Sequence, residues 1–237
     1  MIMVLLDTPR ITLNKVDDAV NWCKKTTAGT HSLMMYPDLR TLGKIYSQYT
    51  KTQLEDCNEI VLILPYYETP DMVRFALSGA SGNYAINDRY PGIDVSKYER
   101  EGSLIIIDSL KGYFSSDDLI ISRNDDIPKK GLDLPSYLDI LLKQAERKRK
   151  TGVSVLSDLG SFYHYYHKTN NGNNKLIEYE SSLPKSFDGM ALKGFCLYHQ
   201  KDFESRFSQK QQALLQNCHS LNLDLVSTVG GPRNPVT

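Results

Sequence analysis

The sequence predicts an α/β protein: a three-layer, mostly parallel central sheet with helices on both faces. Three observations carry this. Short runs such as "IVLIL" (60–64) and "LIII" (104–107) are apolar at every position, as strands covered on both faces are. Longer amphipathic stretches alternate with them along the whole chain, which is the rhythm of parallel strands joined by right-handed helical crossovers. No repeat and no linker separates the 237 residues into two units with complete cores.

The elements follow in order. In the leader, residues 1–30, "LNKVDDAVNWCKK" puts Val16, Ala19, Val20 and Cys23 on one helical face, so a lead-in helix is expected there. Strand one is Ser32–Tyr36 and feeds a helix to about Leu54. Strand two is Ile60–Leu64. Thr69 then suits an N-cap, Pro70 the first helical position and Gly79 the place past the end. A turn-rich loop over 80–92 precedes a short helix in "DVSKYEREG" and strand three in Ser103–Ser109. The polar segment 115–132, broken by Pro128 and Gly131, reads as an excursion. Leu134–Lys150 is the longest helix, and strand four, Val153–Leu156, ends just before Asp158. An asparagine-rich loop, "HKTNNGNNK", leads to a helix over Leu176–Ser182. Strand five lies in "MALKGFCLYH" (190–199), one helix spans Phe203–His219, and a last strand lies in "LDLVSTV" (223–229). Residues 31–229 thus form one domain, and 230–237 form a flexible tail.

Composition narrows the function. Lys and Arg total 28, against 28 Asp and Glu, which argues against a broad nucleic-acid or acidic-membrane surface. Direct nucleic-acid binding is therefore not expected. The basic run Arg147–Lys150 suits the last turn of a helix, where cations favour the dipole. The cysteines 23, 57, 196 and 218 are far apart and form no C-x-x-C pair, so reduced thiols and a cytoplasmic setting are expected. The opening "MIMVLL" is too short for a signal peptide, and no run approaches the roughly 20 apolar residues of a membrane helix.

In open α/β sheets, ligands bind beyond the carboxyl ends of the strands. There this chain places Tyr36 and Asp38, then Tyr66, Tyr67 and Glu68, then Asp108, Asp158, Tyr198 and His199. Such a rim of rings and acids suits a small apolar, aromatic or cationic ligand better than a phosphate. The phosphate loop G-x-x-x-x-G-K-[ST] is absent, as is a dinucleotide fingerprint. "LIIIDS" and "VSVLSD" resemble the apolar strand and aspartate of a Walker B element, a pattern that any buried strand ending in Asp matches. "HYYH" (164–167) offers two imidazoles without an evident third ligand, and no metal or cofactor is expected. No G-x-S-x-G elbow is present. Cys196 and His199, three apart in a strand, face opposite sides and read as poor partners in catalysis. Of Glu178 and Glu180, one can face inward from its helix.

Three ordered blocks together resemble the MEDS domain, the sensory domain of methanogens, methylotrophs and the DcmR repressor. They are "HSLMMYPDLRTLGKIYSQYTKTQLEDCNEIVLILPYY", "GIDVSKYEREGSLIIIDSLKGYF", and "LIEYESSLP" with "GFCLYHQKDF" and the closing helix. His31 to Tyr36 matches the family's opening. Gly92-Ile-Asp94 and Gly102-Ser-Leu-Ile match its middle, and Glu180 and Cys196-Leu-Tyr198 its late block. The likeness spans about residues 29–222. It departs at "LEDCNE", where the family has a glycine-rich acidic connection, and this chain has no room for the helix-turn-helix or kinase module that members often carry.

The resemblance implies a RecA/KaiC-like fold with a degenerate phosphate loop, acting as a non-catalytic sensor. A small organic ligand would be contacted by His31, Tyr36, Asp38, Arg40, Tyr66, Tyr67, Asp108, Asp158, Glu180, Tyr198 and His199. A loop at 80–92 or 165–174 would respond, and a signalling or transcription partner protein would read the change. Two alternatives stand beside it. One is a degenerate subunit that acts by homo- or hetero-oligomerisation. The other is a hydrolytic enzyme using His199, Asp158 or Glu180, marked by a buried, strongly perturbed carboxylate or histidine.

Overall fold

The computed structural model describes residues 8–79, 92–114, 133–165 and 172–226. The expectations for 80–91, 115–132, 166–171 and the tail lie outside the described residues. In chain order the elements are β1 (Arg10–Leu13), α1 (Val16–Lys25), β2 (His31–Tyr36), α2 (Leu39–Glu55), β3 (Ile60–Leu64) and α3 (Pro70–Leu77). There follow α4 (Val95–Arg100), β4 (Leu104–Ile106), α5 (Ser109–Tyr113), α6 (Leu134–Arg147), β5 (Val153–Asp158) and α7 (Gly160–Tyr165). The last are α8 (Gly172–Ser182), β6 (Leu192–His199), α9 (Gln200–Arg206), α10 (Gln209–Asn217) and β7 (Leu221–Leu225).

The seven strands form one sheet in the order β1-β7-β2-β6-β5-β3-β4, with every pairing parallel. The expected α/β architecture is therefore present. Strand alternation sorts side chains between two layers. On one face, Met34, Tyr36, Phe195 and Leu197 pack with Ala19 and Cys23 of α1, Leu42 and Ile45 of α2, and Val73 and Leu77 of α3. On the other, Leu33, Met35, Cys196 and Tyr198 pack with Leu176 of α8, Phe203 of α9 and Leu215 of α10. Further along that face, Leu62 and Val155 meet Leu141 and Ala145 of α6.

Local chemistry sets the helix starts. Asp38, Thr69, Asp94, Asp108 and Asp133 cap α2 to α6, each side chain accepting a backbone N–H of the first turn. Gly79 takes φ +73° just beyond α3, a conformation that suits glycine.

Several features differ from the sequence reading. Among the described residues the longest helix is α2, with 17 residues, and not α6, with 14; the short helices α5 and α7 follow β4 and β5; and α8 begins at Gly172, inside the expected asparagine-rich loop. The leader adds an edge strand, β1, beside β7, so it belongs to the sheet and is more than a lead-in helix. The closing helix is two helices: Ser208 breaks it by forming a capping box with Gln211 that starts α10. β7 begins at Leu221, two residues earlier than expected, with Asn222 and Asp224 buried in it.

Candidate functional site

Most of the sequence-predicted residues fall into two groups on opposite faces of the sheet, while Asp38, Arg40 and Asp108 join neither. Tyr36, Tyr66, Tyr67, Asp158 and His199 gather at the carboxyl edge. The Tyr36 hydroxyl donates to Asp158 Oδ2 at 2.9 Å, and Asp158 Oδ1 accepts the Gly160 N–H at 3.0 Å. Burial pushes the Asp158 carboxyl up to about 7, even though both bonds favour its charged form. Glu68, also buried, is pushed up to about 7 for the same reason.

Asp202, in the first turn of α9, joins the group. It accepts from Tyr67 and lies 3.1 Å from His199 Nδ1 and 3.3 Å from His164 Nε2. Burial raises the Asp202 carboxyl, but these partners outweigh it and bring the group to about 2. The rings pack on one another: Tyr66 stacks on His164 at 5.4 Å, and Tyr67 meets Tyr66 edge-on at 4.8 Å. A Cβ at Gly160 would run into the Tyr66 ring. The rim is thus occupied largely by its own side chains.

The joint between β2 and α2 is closed in the same way. Only Pro37 and Asp38 separate β2 from α2, and Asp38 Oδ1 accepts the Thr41 N–H at 2.8 Å. A carboxylate of the chain holds the helix N-terminus that an external anion would otherwise take. Arg40 is exposed in the first turn of α2, and Asp108 serves as the α5 cap. Neither is among the partners of Asp158 and Asp202 described above.

His31, Glu180 and Tyr198 are not on the rim. His31 opens β2 at the amino end, where it pairs with Gly194. Tyr198 faces the side opposite Leu197 and His199, and its hydroxyl donates to Glu180 Oε1 at 3.0 Å. Glu180 turns inward from α8 and is fully buried. Two residues that the sequence did not mark as site members complete this group. His31 Nε2 lies 3.3 Å from Cys196 Sγ and 3.7 Å from Glu180 Oε2. His219 Nε2 lies 3.3 Å from Glu180 Oε2. Burial and then the neighbouring His219 push His31 down to about 4. Burial pushes the Glu180 carboxyl up, but His219 and then His31 hold it below its usual range.

A cavity of about 170 Å³ opens beside this group. It lies against the middle of β5 and β6, beneath the start of α6 and the end of α8. Leu138, Leu134, Phe187, Met190, Val155 and Tyr179 supply apolar walls, and His31 and Cys196 form part of the floor. The Tyr113 hydroxyl bonds Ser157 at its side. The sequence expected a ligand space beyond the strand ends; this one lies under the sheet, where side chains of β6 alternate with the rim-facing ones.

No family model matches this sequence, and no curated protein matches it. Among solved structures, the chain is similar to a KaiC-like protein from the hyperthermophilic archaeon Pyrococcus horikoshii. The identity is 13%, the TM-score is 0.49, and the match covers 85% of this chain and 75% of that one. Among the described residues, no helix is long and apolar enough to cross a membrane.

Proposed function

We propose that this chain is a MEDS-like sensory module that binds a small, largely apolar organic molecule and signals to a partner protein. The observation that carries the reading is the 170 Å³ cavity with apolar walls and a buried histidine and thiol at its floor. A cavity of about 150 Å³ lined by apolar side chains holds benzene. The volume here therefore suits a ligand of one small ring or a few carbons. His31 and Cys196 would orient a polar end of it. The rim is consistent with the reading, because the Asp38 carboxylate already caps the first turn of α2 at the strand-to-helix joint, where an anion would otherwise find the free backbone N–H groups.

A thermal-shift screen of small aromatic and aliphatic organics tests this. Ligands should raise the melting temperature of the wild type and of Tyr66→Ala, but not of Leu138→Trp, whose indole fills the cavity. Loss in Tyr66→Ala with retention in Leu138→Trp would move the ligand to the rim. No shift in any protein would sink the reading.

A second reading, hydrolysis at the rim, is favoured by one observation. Asp158 and Glu68, both near 7, stand close to the His164–Asp202–His199 group. Carboxylates tuned to neutrality are what general acid–base chemistry uses. Turnover of generic ester or phosphoester substrates, abolished in Asp158→Asn, would establish it.

A further inference from the structure

We infer that His31, Glu180, Cys196 and His219 form a binding site for a zinc-class divalent cation, with His31 Nε2, Glu180 Oε2, Cys196 Sγ and His219 Nε2 as its four donors. The inference goes beyond the ligand-sensing reading and stands without it.

The geometry of the donors is the first argument. They all lie within 4.8 Å of one another, and each residue is buried. The separations His31 Nε2–Cys196 Sγ, His31 Nε2–Glu180 Oε2 and His219 Nε2–Glu180 Oε2 are 3.3, 3.7 and 3.3 Å. Usual zinc–nitrogen, zinc–oxygen and zinc–sulfur bonds set tetrahedral edges of about 3.3–3.6 Å. Three of the edges are thus already near those of a filled tetrahedron.

The hydrogen bonds around the donors are the second. His31 Nδ1 donates to the Pro184 carbonyl at 3.0 Å, and His219 Nδ1 donates to the Leu215 carbonyl at 2.7 Å. Both imidazoles are thereby held in the tautomer whose Nε2 carries a lone pair. Tyr198 occupies Glu180 Oε1 at 3.0 Å and leaves Oε2 to point inward. Three donors therefore have the outer partners that orient metal ligands.

The third argument is an unmet need. Glu180 Oε2 and His219 Nε2 are fully buried, and neither has a hydrogen-bond partner in the structure. They approach to 3.3 Å, but not in the direction of a hydrogen bond. A buried carboxylate beside an imidazole Nε2 is costly unless a positive charge sits between them, either a proton on His219, which is the charge that holds Glu180 below its usual range, or a metal ion that takes that proton's place. A divalent cation meets that need and also balances charge, since a thiolate and a carboxylate together carry two negative charges. The thiol proton of Cys196 leaves to solvent when the sulfur–metal bond forms. The mixture of two imidazoles, one thiolate and one carboxylate suits zinc better than magnesium or calcium, which prefer oxygen.

Cobalt(II), added alone to chelator-treated full-length protein, is the probe. The expected result is one equivalent bound, with the visible bands of tetrahedral cobalt, a thiolate charge-transfer band and the release of a proton. Cys196→Ser should lose the charge-transfer band, and His219→Ala should lose stoichiometric binding. Tyr198→Phe, which keeps every donor, should weaken affinity roughly 10- to 100-fold, as loss of an outer partner does. Circular dichroism identifies variants that fail to fold, and the wild-type spectrum decides independently of them. A folded wild type that binds no cobalt would overturn the inference. So would octahedral spectra, or binding that survives in folded Cys196→Ser and His219→Ala without change.

Discussion

Asp158→Asn separates the charge of the rim carboxylate from its shape. Asn can accept the Gly160 N–H through Oδ1 and donate from Nδ2 to the Tyr36 oxygen, so the network around residue 158 survives. Only the ionisation is lost. In the fold the Asp158 carboxyl rises from its ordinary 3.8 to about 7, first through burial and then through nearby acids. Between about pH 4 and 7 the folded chain holds a proton that the unfolded chain has released. Wild-type stability therefore falls through that window and levels off above it. At about 1.4 kcal/mol per pH unit, the fall from this group is about 4 kcal/mol. The Asn variant has no such slope. Its advantage over wild type should grow by about 4 kcal/mol between pH 4 and pH 8. His31, held near 4, has the opposite slope below its ordinary 6.5, since the unfolded chain binds that proton first. It is present in both proteins and cancels in the difference. Urea denaturation followed by circular dichroism at four or five pH values gives the curve. A difference that does not change with pH, or an Asn variant that is the weaker protein at pH 8, would refute the reasoning.

Two further outcomes follow from the same structure. Lys193→Met strands the buried Glu59 carboxylate, which now meets Lys193 Nζ at 2.6 Å; it should cost about 3–5 kcal/mol by denaturant melt, and Lys193→Met with Glu59→Gln should recover most of that. ATP with magnesium should leave the melting temperature unchanged, because Asp38 already caps α2; saturation at a hundred times Kd would instead add about 2.7 kcal/mol.

The strands that the sequence makes legible are those buried on both faces. "IVLIL" of β3 and "GFCL" of β6 announce themselves because both faces of these strands are covered, which leaves few positions for a polar residue. β1, "RITL", is four residues at the edge with alternate positions exposed, and its signal is too short to separate from a loop. The division of the last helix was marked by Ser208 and Gln211, three apart, a signature of helix starts that the apolar periodicity around it conceals.

The site was legible in parts and illegible as an assembly, and the reason is register. His31 faces the cavity because β2 pairs with β6 so that His31 stands opposite Gly194, one same-face step from Cys196. No spacing within the sequence encodes that pairing. The same period of two that sends His199 to the rim sends Cys196 and Tyr198 to the opposite face. One strand thus serves both clusters, and a one-residue slip of β6 would exchange their members. Two groups of ionisable side chains are kept apart by the thickness of a single sheet. The rim group is packed by its own rings and helix caps, although Glu68 Oε2 there makes no hydrogen bond among the described residues, whereas the group beneath the sheet borders open volume and brings four metal-ligating side chains within 4.8 Å of one another. Chemistry that needs something from outside the chain belongs where converging ligand atoms border open space, and that is the His31–Glu180–Cys196–His219 face.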